Sequence, residues 1–186
     1  MSKDWHLDPS APITGTDQTI LDFWQWGFSN ILMNNLRGVF AEFLVGTALG
    51  CLQQSRVEWD TFDLVYNGMK IEVKSSAYIQ AWHKDKYSNI SFNIGAKREY
   101  DYTTNRYGEE VKRHADMYVF CLLEEKNLER IDPLQTTQWK FYVVLTKELD
   151  LHFPYQKTIS LSSVARITNP CTYEELKATV DGLLQK

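Results

Sequence analysis

Asp63, Glu72 and Lys74 are spaced so that one tight hairpin would bring two carboxylates and an ammonium together. Residues 62–74 hold two apolar-alternating runs around Asn67-Gly68, the strongest short signal for a two-residue turn. With Asn67-Gly68 as the loop, Tyr66 pairs with Met69, Val65 with Lys70 and Leu64 with Ile71, and Asp63 falls opposite Glu72. The period of two puts Phe62, Leu64, Tyr66, Met69, Ile71 and Val73 on one apolar face and Asp63, Val65, Lys70, Glu72 and Lys74 on the other. Like charges facing each other across a ladder cost about 0.2–1 kcal/mol unless a cation sits between them. Mg²⁺ suits such a pair, because it prefers oxygen ligands, keeps several waters and takes one or two carboxylates together with substrate phosphate oxygens. The alternative is a solvent-facing sheet surface carrying cross-strand charge pairs.

Asp63, eight intervening residues and then Glu72-Val73-Lys74 resembles the core motif of the PD-(D/E)XK nuclease superfamily, the restriction-endonuclease-like fold. The resemblance spans residues 35–123. In that superfamily a helix carrying a glutamate precedes the hairpin, and Glu42, in Arg37-Gly38-Val39-Phe40-Ala41-Glu42, holds the matching place. Phe62 stands where the motif's name has proline. The resemblance implies a metal-dependent nuclease acting on phosphodiester bonds, with DNA as substrate and Mg²⁺ as cofactor, Mn²⁺ substituting. Asp63, Glu72 and the backbone carbonyl of Val73 would be the metal ligands, Lys74 the catalytic lysine and Glu42 a supporting catalytic residue. The metal would lower the pKa of a bound water and polarise the phosphoryl group, while Lys74 would stabilise the charge that develops.

Beyond Lys74, continued alternation would keep Ser76 and Gln80 on the Glu72 face, which makes Gln80 a candidate substrate contact. Some superfamily members carry a glutamine followed four residues later by tyrosine, but Lys84 stands at that position here. Between residues 82 and 114, Lys84, Lys86, Lys97, Arg98, Arg106, Lys112 and Arg113 interleave with Trp82, Tyr87, Tyr100, Tyr102 and Tyr107. Such a mixture grips phosphates and stacks bases, so Lys84, Lys97 and Arg98 are read as substrate-binding. Asp85, Glu99, Asp101, Glu109 and Glu110 offset much of that charge. Residues 95–115 read as a long polar connection, a kind of segment that often carries function. Asp116 reads as a turn residue. No Walker loop, dinucleotide fingerprint or Ser/His/Asp arrangement surrounds His6, His83, His114 or His152.

The elements that must position these groups follow from periodicity. Residues 17–29 read as a first, core-covering helix. Residues 35–49 read as a second, since Leu36, Val39, Phe40, Phe43, Leu44 and Ala48 recur at helical spacing and Gly50 offers a stop. Gly38 and Gly46 flank Glu42 four residues either way, leaving little bulk on that face. Residues 90–94, Met117–Leu123 and Trp139–Leu145 are strands. Thr172 with Glu175 makes a capping box for a last helix whose stripe is Leu176, Val180, Leu183 and Leu184. The order suggests an α/β (α+β) domain built on a mixed central sheet flanked by helices.

With 186 residues and 44% hydrophobic content the chain suits one domain, residues 15–186, behind a loose arm of residues 1–14. It has no apolar run long enough to span a membrane and no signal-peptide pattern. Three cysteines without close spacing fit a reducing cytoplasm rather than a disulfide framework or structural zinc. A net charge of -4 means that nucleic acid must be met by a local basic patch. A noncatalytic module of the same fold, binding nucleic acid or a protein partner, is the competing reading, and a homodimer is left open by the sequence.

Overall fold

In the computed structural model the described residues are 7–52, 61–82, 86–101 and 104–185. The centre is a four-stranded mixed sheet in the order β1 (Leu64–Tyr66), β2 (Met69–Ala77), β6 (Met117–Leu123), β7 (Trp139–Leu145). β1 and β7 run antiparallel to their neighbours, while β2 and β6 are parallel, with Glu72 level with Tyr118 and Lys74 with Phe120. The long crossover that a parallel pair requires carries two small ribbons, β3 (Ser91–Asn93) and the hairpin β4 (Lys97–Asp101) with β5 (Arg106–Lys112). After β7 come α3 (Thr146–His152), β8 (Thr158–Ser160), which pairs with β3, then α4 (Leu161–Val164) and α5 (Tyr173–Leu184).

β6 reads as an uninterrupted apolar run because it is buried on both faces. Met117, Val119, Cys121 and Leu123 join one core with Ile71, Val73, Trp139 and Phe141, closed by Ala41, Leu44 and Val45 of the helix α2 (Asn34–Leu49) and Leu176 and Val180 of α5. Tyr118, Phe120 and Leu122 join a second core with Phe92, Ile94, Tyr142, Leu149 and Ile159. The expected fold class therefore holds: a mixed central sheet with α2 and α5 on one face. The other face is covered by the β3–β8 ribbon, α3 and α4. Gly50 ends α2 in the left-handed conformation, and both Thr172 and Glu175 complete the α5 capping box. The three cysteines are free. No helix among the described residues is long and apolar enough to cross a membrane.

Four expectations need correction. The first helix, α1, runs Ile20–Phe28 with Thr19 as its N-cap and covers no core: none of its residues is buried, and Trp26 is 85% exposed. Its apolar residues cover most of its circumference, leaving a narrow polar strip at Asp22 and Gln25, a pattern that signals burial without saying against what. In α2 the buried face contains Ala41, Val45 and Leu49, whereas Val39 and Phe43 are exposed. Apolar residues lie on both sides of that helix, and the sheet takes the side that bears Leu36, Ala41, Leu44, Val45 and Leu49. Residues 95–115 are no irregular loop, since most of them form the β4–β5 hairpin. Residues 9–14, expected as part of a loose arm, are tied to the start of α1, with the Ile20 N–H donating to the Ala11 carbonyl and the Leu21 N–H to the Pro9 carbonyl.

Candidate active site

The hairpin forms in the expected register, Leu64 opposite Ile71, Val65 opposite Lys70 and Tyr66 opposite Met69, with Asn67 and Gly68 both at positive φ as a tight two-residue turn requires. The ladder stops at Leu64, one residue short of the chemistry. Asp63 turns out of the strand: its N–H donates to the Ile71 carbonyl, and its Oδ2 accepts the Val73 N–H at 2.6 Å. The carboxylate thus replaces the backbone acceptor that a continued β1 would have offered to β2. This irregularity also moves Phe62 off the expected face. Leu64 packs with the helical core, whereas Phe62 packs with the other core, where Lys70 Nζ lies 5.0 Å from the centre of its ring.

Three elements consequently converge on the place where β1 leaves the sheet. Glu72 and Lys74 lie on the face of β2 opposite Ile71 and Val73, while Glu42 comes from α2 on the helical side. Gly46 assists that approach, because a Cβ there would meet Leu52 at 2.3 Å and Leu64 at 3.4 Å; Gly38 faces open space and has no such role. Asp63 feels all three groups. Burial, then the charge of Glu72, pushes its carboxyl up to about 6, with Glu42 adding in the same direction and Lys74 opposing.

Glu72 is 5% exposed and accepts from two lysines through the same oxygen, Oε1: Lys74 Nζ at 2.5 Å and Lys97 Nζ at 3.4 Å. Tyr118, level with Glu72 on β6, has its phenol held well above its ordinary value by burial first and Glu72 next. Among the described residues, Asp63 Oδ1 and Glu72 Oε2 form no hydrogen bond. No three Asp, Glu, His or Cys side chains among the described residues converge closely enough to hold an ion by themselves. A hard divalent cation needs fewer, since Mg²⁺ keeps several waters and takes one or two carboxylates. An all-oxygen pair, with Glu72 buried and Asp63 half-buried and raised by burial and then by the charge of Glu72, fits such an ion.

A model of the family described as bacteriophage T4 endonuclease IV matches residues 4–163, a span that contains α1, α2, the hairpin and the whole carboxylate cluster. The chain belongs to the T4 endonuclease IV family. None of the curated proteins matches it. Membership groups the chain with nucleases, and the endonuclease IV match includes the Asp63, Glu72, Lys74 and Glu42 positions.

The remaining site expectations are placed as follows. Lys97 joins the carboxylate cluster directly, through Glu72, a contact that no sequence spacing announced across a separation of 25 positions. Arg98 follows it on exposed β4. Gln80 does not continue the Glu72 face, because β2 ends at Ala77. Its buried amide accepts from Arg37 Nη1 at 2.7 Å and donates to the Ala77 carbonyl at 3.0 Å. Arg37 is itself 2% exposed, with its pKa lowered to about 10 by burial. Gln80 and Arg37 therefore lock α2 to the end of β2. Lys84 lies outside the described residues.

Proposed function

We propose that the chain is a Mg²⁺-dependent nuclease, with Mn²⁺ substituting, which hydrolyses phosphodiester bonds in DNA on a restriction-endonuclease-like scaffold. The observation that carries this reading is the pairing of the half-buried Asp63 with the buried Glu72, with Lys74 attached to it, at the edge where β1 leaves the sheet. The family's name, that of an endonuclease, supports it.

Asp63 and Glu72 would hold the metal, with the Val73 carbonyl beside them. When bound, the ion would activate water and polarise the phosphoryl group. The chain's own residues do the rest. The Val73 N–H fixes the Asp63 carboxylate through Oδ2 and leaves Oδ1 to face the cation. Lys97 shares Glu72 Oε1 with Lys74, so the loss of one lysine does not strip that carboxylate of its counter-charge. Lys74 Nζ can then turn toward a non-bridging oxygen of the scissile phosphate and stabilise the charge that builds there. Glu42 approaches from the helical side, where a carboxylate is able to orient the attacking water.

Thermal unfolding with increasing Mg²⁺ or Mn²⁺ tests the site independently of turnover. The melting temperature should rise with metal, because an ion that binds only the folded state stabilises it by about 2.7 kcal/mol at one hundred times its Kd. Glu72→Gln should abolish the rise. Metal titration that leaves the wild-type melting temperature unchanged would contradict the assignment of Asp63 and Glu72 as ligands.

A further inference from the structure

Glu72 holds more positive charge than one carboxylate needs. The group is buried, and a single oxygen, Oε1, accepts from both Lys74 and Lys97. The two contacts differ in kind. Lys74 stands two residues from Glu72 on the same face of β2 and lies at 2.5 Å, whereas Lys97 reaches over from β4 to 3.4 Å with its side chain nearly half exposed. Among the described residues, Glu72 is the ion-pair partner of both.

The backbone beneath Lys97 is fixed. His114 Nε2 donates to the Lys97 carbonyl at 2.8 Å, which ties the first residue of β4 to the chain leaving β5. Arg113, 8% exposed, donates to the Ile94 and Phe153 carbonyls, each at 2.7 Å, and pairs with Asp150. Both roots of the ribbon are therefore held, and a two-stranded ribbon, marginally stable by itself, needs such anchors. Lys112, opposite Lys97 in the ladder, has no part in the cluster: it pairs with Glu110 of its own strand at 2.6 Å.

Sharing one oxygen acts on both lysines and on a cation. Two ammoniums on the same atom repel each other, so each is held less firmly than it would be alone. Lys74, the group assigned to the scissile phosphate, is therefore the easier to release. The same second charge opposes a dication that takes Glu72 as a ligand. Salt screens this repulsion only in part, because the carboxylate that both charges meet is buried.

We propose that Lys97 is a positioning residue: by sharing Glu72 Oε1 it frees Lys74 for the substrate phosphate, and by the same charge it holds down the affinity of the carboxylate pair for metal. The inference rests on the nuclease reading and assigns Lys97 to the carboxylate cluster rather than to the substrate. Removing the Lys97 charge should move two measurements in opposite directions, metal affinity up and cleavage rate down. A merely structural role would lower both, since a loosened site loses affinity and rate together.

Calorimetric titration of the full chain with Mg²⁺ or Mn²⁺ reads the affinity, and single-turnover cleavage of a labelled DNA oligonucleotide in saturating metal reads the rate. Lys97→Met should bind the ion roughly tenfold more tightly, the size of the repulsion between a dication and an ammonium that meet one carboxylate, screened as in water. It should cleave about fivefold more slowly, because Lys74 then keeps an undivided charge-assisted hydrogen bond to Glu72. Lys97→Gln should behave alike, and Lys97→Arg, which keeps the charge, should stay close to wild type in both. Lys112→Met should leave the affinity unchanged, since Glu110 matches that charge. Melting temperatures in EDTA show which variants are folded. If the wild type takes up metal and cleaves, while Lys97→Met and Lys97→Gln bind the ion no more tightly or cleave at the wild-type rate, the proposal is overturned and the nuclease reading stands. Equal tightening in Lys112→Met would assign the effect to bulk charge and overturn it too. A wild type that takes up no metal, or does not cleave, removes the nuclease reading and this inference with it.

Discussion

Asp63 should destabilise the metal-free protein at neutral pH, and Asp63→Asn should relieve it. Its carboxyl is raised from an ordinary 3.8 to about 6, by burial first and Glu72 second. A raised carboxyl means that the folded state holds a proton which the unfolded chain has already released. Between about pH 4 and pH 6 the folded state therefore binds more protons, and stability falls as pH rises through that window. The penalty is complete above pH 6. A shift of that size corresponds to about 3 kcal/mol, an upper figure because the site can relax. The asparagine side chain of the variant would keep an oxygen for the Val73 N–H while removing the charge. In EDTA at pH 7.5 the variant should melt higher by up to about 10 °C, since 1 kcal/mol moves a protein of this size by about 2–4 °C. At pH 4 the two proteins should melt within a degree or two of each other. Added Mg²⁺ should raise the wild type and leave the variant nearly unmoved. A variant no more stable than wild type at pH 7.5, or an advantage that persists undiminished at pH 4, would refute the claim that Asp63 is held in a repulsive, desolvated site.

Other consequences concern the scaffold. Trp139 is fully buried against Phe40, so Trp139→Ala should cost about 3–5 kcal/mol in urea unfolding. Trp26→Ala, at an 85% exposed position, should change stability by less than about 0.5 kcal/mol. Arg37→Ala removes the partner of the buried Gln80 amide and of the Leu32 carbonyl, and a loss of about 2–3 kcal/mol is expected, measured by the same unfolding. Gln80→Ala should fall on the same branch: lowered stability, with DNA affinity of the folded fraction unchanged.

The hairpin was legible because Asn-Gly and strict alternation encode register locally, and β6 because a run buried on both faces looks the same in any context. The α5 cap was legible for a similar reason, since its partners are three residues apart. What sequence periodicity could not convey was non-local. Asp63 leaves its ladder to serve the Val73 N–H, a decision made by the sheet's edge rather than by the pattern, and Phe62 changes face with it. Lys97 reaches Glu72 only because the β4–β5 ribbon folds back on the sheet. Val39 and Phe43 obey helical spacing as well as Ala41 and Val45 do, and only the sheet chooses between them. The strand β8 is three residues long and pairs with β3 across more than sixty residues, too short for alternation to mark it. The structure brings Asp63, Glu72 and Lys74 together as their spacing on one hairpin led one to expect, and Glu42, named through the resemblance, lies close enough to act on Asp63. Gln80 was misplaced because alternation was carried past Ala77, where the strand ends.

The most direct test of the central claim is the single-turnover cleavage rate of a labelled DNA oligonucleotide in Mg²⁺, wild type against Lys74→Ala, with melting temperatures showing that both are folded. The ammonium is assigned to charge that develops in the transition state, so its loss should slow cleavage by about 10²–10³-fold, and EDTA should stop the wild type entirely. Cleavage by Lys74→Ala at the wild-type rate, or wild-type cleavage that persists in EDTA, would contradict the account.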